Sequence, residues 1–293
     1  MIPKTAGAYI SGLFDKVKGW QGDQIQSEML ASTMTDYIFW SIHVQPNGDL
    51  HMNDVPVCVG GLPNTSVTSH LRSFISAAKA HGATIWFSVG SGGVPDYAHI
   101  ASILANPSGS AYANLFANLY VLNALGADGY DFDYEESFYP SGPGVDVITK
   151  FGIALHDQYN AKLTYCPYTD HSFWVQCLQA MYSHYGYQPV AALRLQGYSG
   201  VGDYDPTTWA TSINNAGVAT TGISDGLAFM RLGLAVAGGT SGPAYDPTDM
   251  QSKIAGYGVP GGWIWNAEQV VKNQGTTGFS IADYASAILA GDA

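Results

Sequence analysis

The sequence predicts an α/β fold, a (β/α)8 TIM barrel in which residues 1–293 form a single domain without a large insertion. Eight short runs of apolar or β-branched residues recur along the chain, and segments with helical periodicity separate them. Barrels of this class use roughly 250 residues as one unit. The length of 293 residues therefore suits one barrel, although it would also hold two average domains.

The strand candidates are short and bounded by polar or glycine-containing segments. In chain order they cover residues 7–11, 37–44, 83–89, 127–133, 162–167, 192–198, 228–235 and 261–266. Strands that alternate with helices form parallel sheets, and eight is the number that closes a barrel. An open, doubly wound sheet would show the same alternation, so the pattern by itself leaves it as the alternative.

Helical periodicity, with apolar residues at spacings of three and four, is clearest over residues 68–81 and 145–160. Further helix-like segments cover residues 111–126, 172–183, 206–216, 246–256 and 279–290. The segment between the last two strand candidates is short, so it leaves little room for an inserted domain.

Composition restricts the possible partners. The chain carries 11 Lys and Arg against 23 Asp and Glu, a formal net charge of -12, without a basic cluster. Nucleic acid and anionic membranes both require a positive patch, so neither is expected as a partner. A neutral polymer is compatible with this charge, and the aromatic residues, with 19 Tyr, 11 Phe and 7 Trp, can stack on sugar faces as well as fill a core.

Cysteine spacing and the N-terminus indicate neither metal binding nor a targeting segment. Cys58, Cys166 and Cys177 show no CxxC or Cys/His pattern, so neither a zinc site nor a disulfide framework is predicted. At most one bridge could form, and a bridge between Cys166 and Cys177 stays open. The sequence shows neither an apolar signal core nor a membrane-spanning stretch. Three explanations stay open: the sequence is that of a mature form, the protein is exported by another route, or it stays inside the cell.

The most informative segment is the acidic run at residues 128–136, DGYDFDYEE. Side chains alternate across a strand, so Asp131, Asp133 and Glu135 point the same way, about 6.5–7 Å apart in a row. The aromatic residues between them then face the surrounding helices. If Asp131 and Asp133 hold one proton between them, the neighbouring negative charge keeps Glu135 protonated near neutral pH, as a leaving-group acid requires. A solvated acidic turn or a calcium loop is the alternative, but the calcium-loop pattern with its central glycine is absent.

Residues 128–135 resemble the DGxDxDxE signature of glycoside hydrolase family 18, the chitinases and endo-β-N-acetylglucosaminidases. Other segments resemble motifs of this family in the same chain order. Residues 88–93, SVGSGG, resemble its SxGG element with Ser91 as a departure, and these glycines would let the backbone pass close under the acidic strand. Residues 163–168, LTYCPY, resemble LTxAPQ with Cys166 and Tyr168 as departures.

The resemblance extends to the last part of the chain. Residues 195–199, LQGYS, resemble the VQFYN segment of compact, hevamine-like members, although Ser199 replaces a frequent Asn, and this places Gln196 and Tyr198 inside the barrel. Residues 261–265, GGWIW, resemble GGxMxW, which makes Trp265 the ring under the sugar at the cleavage site.

The resemblance implies retaining, substrate-assisted hydrolysis of β-1,4-linked N-acetylglucosamine polymers, chitin or chitooligosaccharides, without a metal or organic cofactor. Glu135 would be the general acid/base, and the substrate acetamide the nucleophile. Asp133 would orient the acetamide N–H, Asp131 would support Asp133 as a proton partner, and Tyr198 would hydrogen-bond the acetamide oxygen. The expected substrate-binding residues are Trp265, Gln196, Tyr168 and Ser88.

Two other functions fit the same resemblance. The protein could be an endo-β-N-acetylglucosaminidase that acts on N-glycans, or a catalytically silent chitinase-like carbohydrate-binding protein. All three candidate functions imply a polysaccharide or oligosaccharide partner that contains N-acetylglucosamine. A secreted or extracellular location is expected, and the oligomeric state is left open.

Overall fold

A computed structural model, which describes residues 4–136, 142–198 and 204–291, contains eight parallel strands that close into a barrel. The barrel strands are β1 (Thr5–Ile10), β2 (Asp36–Val44), β3 (Thr84–Val89), β4 (Gly129–Phe132), β5 (Lys162–Tyr165), β6 (Val190–Gln196), β7 (Met230–Val236) and β8 (Gly261–Trp265). Strand β1 pairs with both β2 and β8, which closes the sheet. The predicted barrel is thus confirmed, and the open sheet is excluded because each of the eight strands pairs with a barrel strand on both sides.

The described part of the chain contains twelve helices. They are α1 (Asp23–Ala31), α2 (Thr65–Ala80), α3 (Asp96–Leu104), α4 (Ser110–Asn123), α5 (Gly142–Tyr159), α6 (His171–Tyr185), α7 (Pro206–Ala216), α8 (Val218–Thr221), α9 (Gly226–Phe229), α10 (Pro247–Tyr257), α11 (Ala267–Thr277) and α12 (Ile281–Ala290). All seven predicted helices are present. The five helices without a sequence prediction are α1, α3, α8, α9 and α11.

Several short strands lie outside the barrel and pair with barrel strands or with each other. Leu50–Met52, Val55–Val59 and Leu62–Pro63 form an antiparallel extension of β2. Phe14–Asp15 pairs with Gly19–Trp20 in a small hairpin, and Ala244–Tyr245 pairs with β7. None of these was predicted, because runs of two to five residues are too short for a clear alternation pattern.

The hydrophobic core has two parts. Aliphatic and aromatic side chains fill the space between the strands and the surrounding helices, and a second, smaller cluster, rich in aromatic rings, fills the barrel interior. Glycines on the strands make room for two interior tryptophans. A Cβ atom at Gly233 would lie 2.0 Å from the Trp263 ring, and one at Gly129 would lie 2.5 Å from the Trp86 ring.

The three thiols are unpaired and buried, so the structure contains no bridge between Cys166 and Cys177. Across residues 4–136, 142–198 and 204–291, we find no helix with both the length and the apolar character needed to cross a bilayer.

Candidate active site

The three acids of the predicted row lie at the C-terminal end of β4, on the inner side of the barrel. Asp131 is fully buried within the strand, and Asp133 and Glu135 follow it and line a cavity of about 270 Å³. The hydrogen-bonded ladder ends at Phe132, but the alternation continues, because the buried ring of Tyr134 points outward and packs 5.7 Å from Phe173. The predicted inward row is therefore present.

The cavity has aromatic walls. Tyr9, Trp40, Tyr198 and Trp265 all line it, and Trp40 meets Trp265 edge to face with ring centroids 4.8 Å apart. Tyr198 lies nearly parallel to Trp265 at 6.1 Å. Flat rings beside a pair of carboxylates suit a ligand with apolar faces and polar edges, such as a sugar.

Asp131 is held by side chains from the neighbouring strands. Ser88 of β3 and Thr164 of β5 are directly opposite it in register, and their hydroxyls donate to its carboxylate at 3.0 and 2.6 Å. Tyr9 donates from across the barrel at 2.5 Å. Burial and the charge of Asp131 raise the pKa of Tyr9 well above its usual value, so this phenol remains a donor.

The surroundings of Asp133 favour its protonated form. Burial raises its pKa well above the usual value, the charge of Glu135 and a hydrogen bond with Glu135 raise it further, and the indole N–H of Trp40, at 2.9 Å, opposes the shift. The Nε2 atom of Gln196 donates to Asp133 at 3.1 Å and to Glu135 at 2.7 Å, so the two carboxyl groups are neighbours. The structure thus places Asp133 beside Glu135.

The glycines that follow β3 allow the acidic segment to pass. Gly90 has a φ of +95°, and a Cβ atom there would lie 2.4 Å from the carbonyl oxygen of Asp133. A Cβ atom at Gly92 would lie 3.1 Å from Oε2 of Glu135. The predicted close passage of this backbone under the acidic strand is confirmed at Gly90.

Glu136 points away from the cavity and anchors a helix. It is buried, and its carboxylate accepts hydrogen bonds from the backbone N–H groups of Tyr97 and Ala98 in the first turn of α3. Burial raises its pKa to about 7, although these two N–H groups act in the opposite direction. Glu136 thereby fixes the chain immediately after Glu135 against the neighbouring βα unit.

We expect Glu136→Ala to lower the free energy of unfolding by about 1–3 kcal/mol, because two buried N–H groups lose their acceptor. Chemical denaturation measures this, with the exposed Asp54→Ala as the control, for which a change within about 0.5 kcal/mol is expected. Since the folded-state pKa is raised from 4.5 to about 7, wild-type stability should fall as pH rises through this window. A Glu136→Ala protein as stable as the control, or with the same pH dependence as wild type, would contradict this role.

The other predicted residues fall into two groups. Gln196, Tyr198 and Trp265 line the cavity. Tyr168 is half-buried, and burial and the charge of Glu135 raise the pKa of its phenol. Ser88, predicted to contact substrate, is instead fully buried beneath the acids, where it donates to Asp131.

Several site residues were not identified from the sequence. Tyr9 and Trp40 come from β1 and β2, and Arg194 lies on β6 below Gln196. The alternation of each strand places them inside the barrel, but it does not indicate which acid they would reach.

A second array of polar side chains lies behind the cavity wall. Ser41 contacts Nε2 of His43 at 2.9 Å, and Nδ1 of His43 contacts Asp96 at 2.8 Å. This order resembles a nucleophilic triad, but Ser41 is fully buried, and Asp96 also accepts from the N–H of Val44 at 2.7 Å. The array therefore ties the end of β2 to α3. In the described residues, no group of three or more His, Cys, Asp or Glu side chains could hold a metal ion.

Solved structures share this architecture. A glycoside hydrolase family 18 chitinase from Pseudoalteromonas aurantia matches with a TM-score of 0.69 and 13% identity, over 98% of this chain and 99% of that one. The chain has the fold of glycoside hydrolase family 18. A fungal endo-β-N-acetylglucosaminidase of this family matches with a TM-score of 0.61 and 17% identity, over 97% of this chain and 98% of that one.

The catalytic domain of a family 18 chitinase from the fern Peteris ryukyuensis also matches, with a TM-score of 0.58 and 18% identity over 98% of this chain and 99% of that one. No protein-family model matches the sequence, and no curated protein is similar to it. The family 18 fold is thus retained here at a low level of sequence identity, and the acidic row lies where barrel enzymes carry their active sites, at the C-terminal ends of the strands.

Proposed function

We propose that the protein is a retaining glycoside hydrolase that cleaves β-1,4-linked N-acetylglucosamine polymers, chitin or chitooligosaccharides, by substrate-assisted catalysis. The observation that carries this proposal is the contact between Asp133 and Glu135, which one amide nitrogen of Gln196 bridges at the cavity floor. Glycosidases with an enzymatic nucleophile hold two carboxyl groups about 5–5.5 Å apart on either side of the scissile bond. Here the two groups are neighbours in one row and share the Gln196 donor, which supports a mechanism in which the substrate supplies the nucleophile.

The first step requires one proton on this pair. With the proton on Glu135, the glycosidic oxygen is protonated as the carbonyl oxygen of the 2-acetamido group attacks the anomeric carbon. The products are a free alcohol and an oxazolinium ion, with both carboxyl groups now ionised. Asp133 then accepts the acetamide N–H and balances the positive charge of this ion.

Hydrolysis of the intermediate reverses these roles. Glu135 takes a proton from water as that water attacks the anomeric carbon, which restores the acetamide and leaves the configuration retained. Tyr198 would hold the acetamide oxygen in line for attack, and Trp265 would carry the sugar ring. Both line the cavity that Asp133 and Glu135 share.

The mechanism is tested by asking whether hydrolysis requires the acetamido group of the substrate. We expect hydrolysis of N-acetylated chitohexaose, with initial products in the β configuration by NMR, and no detectable hydrolysis of fully de-N-acetylated oligomers or cello-oligosaccharides of the same length. These control substrates keep the ring and linkage but lack the nucleophile. Cleavage of either control at a comparable rate would overturn the proposal.

A second candidate is endo-β-N-acetylglucosaminidase activity, because a fungal enzyme with that activity shares the fold over 97% of this chain. A high-mannose glycoprotein incubated beside chitohexaose separates the two, since release of the glycan with intact oligomers would favour this candidate. Binding of chitooligosaccharides without cleavage would instead indicate a silent carbohydrate-binding protein. In each case the partner is a glycan containing N-acetylglucosamine. An extracellular location and the assignment of residues 1–293 to one catalytic domain stay predictions.

A further inference from the structure

Trp40 and Gln196 donate hydrogen bonds to different oxygens of Asp133. The indole Nε1 of Trp40, on β2, donates to Oδ2 at 2.9 Å. The amide Nε2 of Gln196 donates to Oδ1 at 3.1 Å and to Oε1 of Glu135 at 2.7 Å. Oδ1 therefore faces Glu135 and Oδ2 faces Trp40, and the two donors together fix the orientation of the Asp133 carboxyl group.

This orientation bears on where a proton of Asp133 lies. A protonated carboxyl group donates from its hydroxyl oxygen and accepts at its carbonyl oxygen. Since the Trp40 N–H is directed at Oδ2, a proton on Asp133 lies on Oδ1, facing Glu135. Burial, the charge of Glu135 and a hydrogen bond with Glu135 raise the pKa of Asp133, and this hydrogen bond needs the same orientation. The Trp40 N–H thus directs the proton of the pair toward the group that must deliver it.

The side chain of Trp40 is itself held in place. Its ring packs edge to face against Trp265 with the centroids 4.8 Å apart. The next residue, Ser41, contacts Nε2 of His43 at 2.9 Å, and Nδ1 of His43 contacts Asp96, the first residue of α3, at 2.8 Å. The end of β2 that carries Trp40 is therefore attached to the first turn of α3.

The same turn of α3 holds the chain that carries Glu135. Glu136, the next residue, accepts hydrogen bonds from the N–H groups of Tyr97 and Ala98. One helical turn therefore fixes the backbone beside both Trp40 and Glu135, so the indole and the acidic pair have a common anchor.

We propose that Trp40 is a positioning residue whose indole N–H holds Oδ2 of Asp133, so that Oδ1 stays directed at Glu135 during the reaction. This inference rests on the proposed hydrolase function and adds a donor that the sequence analysis did not identify. As Glu135 protonates the leaving oxygen, both carboxyl groups become ionised, and Asp133 lies beside the oxazolinium charge. An N–H donor already in place stabilises the ionised Asp133 without reorganisation, so it acts on the transition state more than on bound substrate.

The first experiment removes only the N–H group. Replacing Trp40 by 3-benzothienylalanine, which carries sulfur in place of the N–H, keeps the shape of the side chain and its contact with Trp265. We expect kcat on chitohexaose to fall by about 10- to 100-fold, the range for a hydrogen bond to a charged group, with KM changed only a few fold. Trp40→Phe, which also lacks the donor, should lose at least as much.

Trp20→Phe is the matched control. The indole of Trp20 also donates to an aspartate, Asp23, at 2.5 Å, but in the hairpin that precedes α1. This variant loses the same type of hydrogen bond outside the acidic row, so its kcat should remain close to the wild-type value. An equal fall of kcat in Trp20→Phe and Trp40→Phe would overturn the specific role of Trp40.

NMR of ¹⁵N-labelled protein tests the contact without any substrate. Trp40→Phe identifies the indole N–H signal of Trp40 among those of the seven tryptophans. A hydrogen-bonded N–H resonates downfield, so Asp133→Ala, which removes the acceptor, should shift this signal upfield and leave that of Trp20 in place. An unmoved Trp40 signal, or a benzothienylalanine variant with wild-type kcat, overturns the role of Trp40. A wild-type protein that shows the NMR shift but cleaves no chitohexaose contradicts the hydrolase proposal alone.

Discussion

Glu135→Gln should lower kcat on N-acetylated chitooligosaccharides by about 10³-fold or more, because a positioned general acid contributes typically 10²–10⁴-fold and the same group also activates water. Glutamine keeps the shape of the side chain but has no acidic proton. Substrate affinity, measured by calorimetry, should stay within a few fold of the wild-type value. A kinetic loss without a binding loss is the signature of an interaction made in the transition state.

The matched control for this variant is Asp128→Asn, at the opposite end of the same acidic run. Asp128 pairs with Lys79 at 2.9 Å, away from the cavity, so its neutralisation should leave kcat within a few fold. If Glu135→Gln retained more than about a tenth of wild-type activity, the assignment of Glu135 as the acid would be wrong. Equal losses in the two variants would indicate a general effect of charge on folding.

Asp133→Asn should have the second-largest effect, a fall of about 10²–10³ in both kcat and kcat/KM. Asparagine can still accept from the indole of Trp40, but it cannot take up the charge that balances the oxazolinium ion. Loss of a charged acceptor that acts on the transition state lowers both constants together.

Added azide distinguishes this role from that of an enzymatic nucleophile. If Asp133 itself attacked the sugar, a small anion could replace it and would yield a glycosyl azide of inverted configuration. In a substrate-assisted reaction the nucleophile is still present in the Asp133→Asn variant, so azide should neither restore activity nor form an inverted product. Rescue by azide would contradict the proposed mechanism.

The acidic row was predictable because strand geometry is local. Residues two apart on a strand share a face, so the spacing of Asp131, Asp133 and Glu135 determined their common direction without any tertiary information. The eight barrel strands were predictable for a related reason, since buried strands show continuous apolar runs. Helices α1, α3 and α11 were not predicted, and α8 and α9, of four residues each, are too short for a helical period to be visible.

The sequence by itself determined eight alternating strands and the inward acids, whereas the tertiary structure decided that the sheet closes and which side chains contact those acids. Tyr9 and Asp131 are 122 positions apart, Trp40 and Asp133 are 93 apart, and Arg194 and Asp131 are 63 apart. Ser88 lies below the acids instead of in the cavity for the same reason. Alternation assigns each residue to a face, but its height within the barrel, and hence its partners, depends on how all eight strands are staggered when the sheet closes.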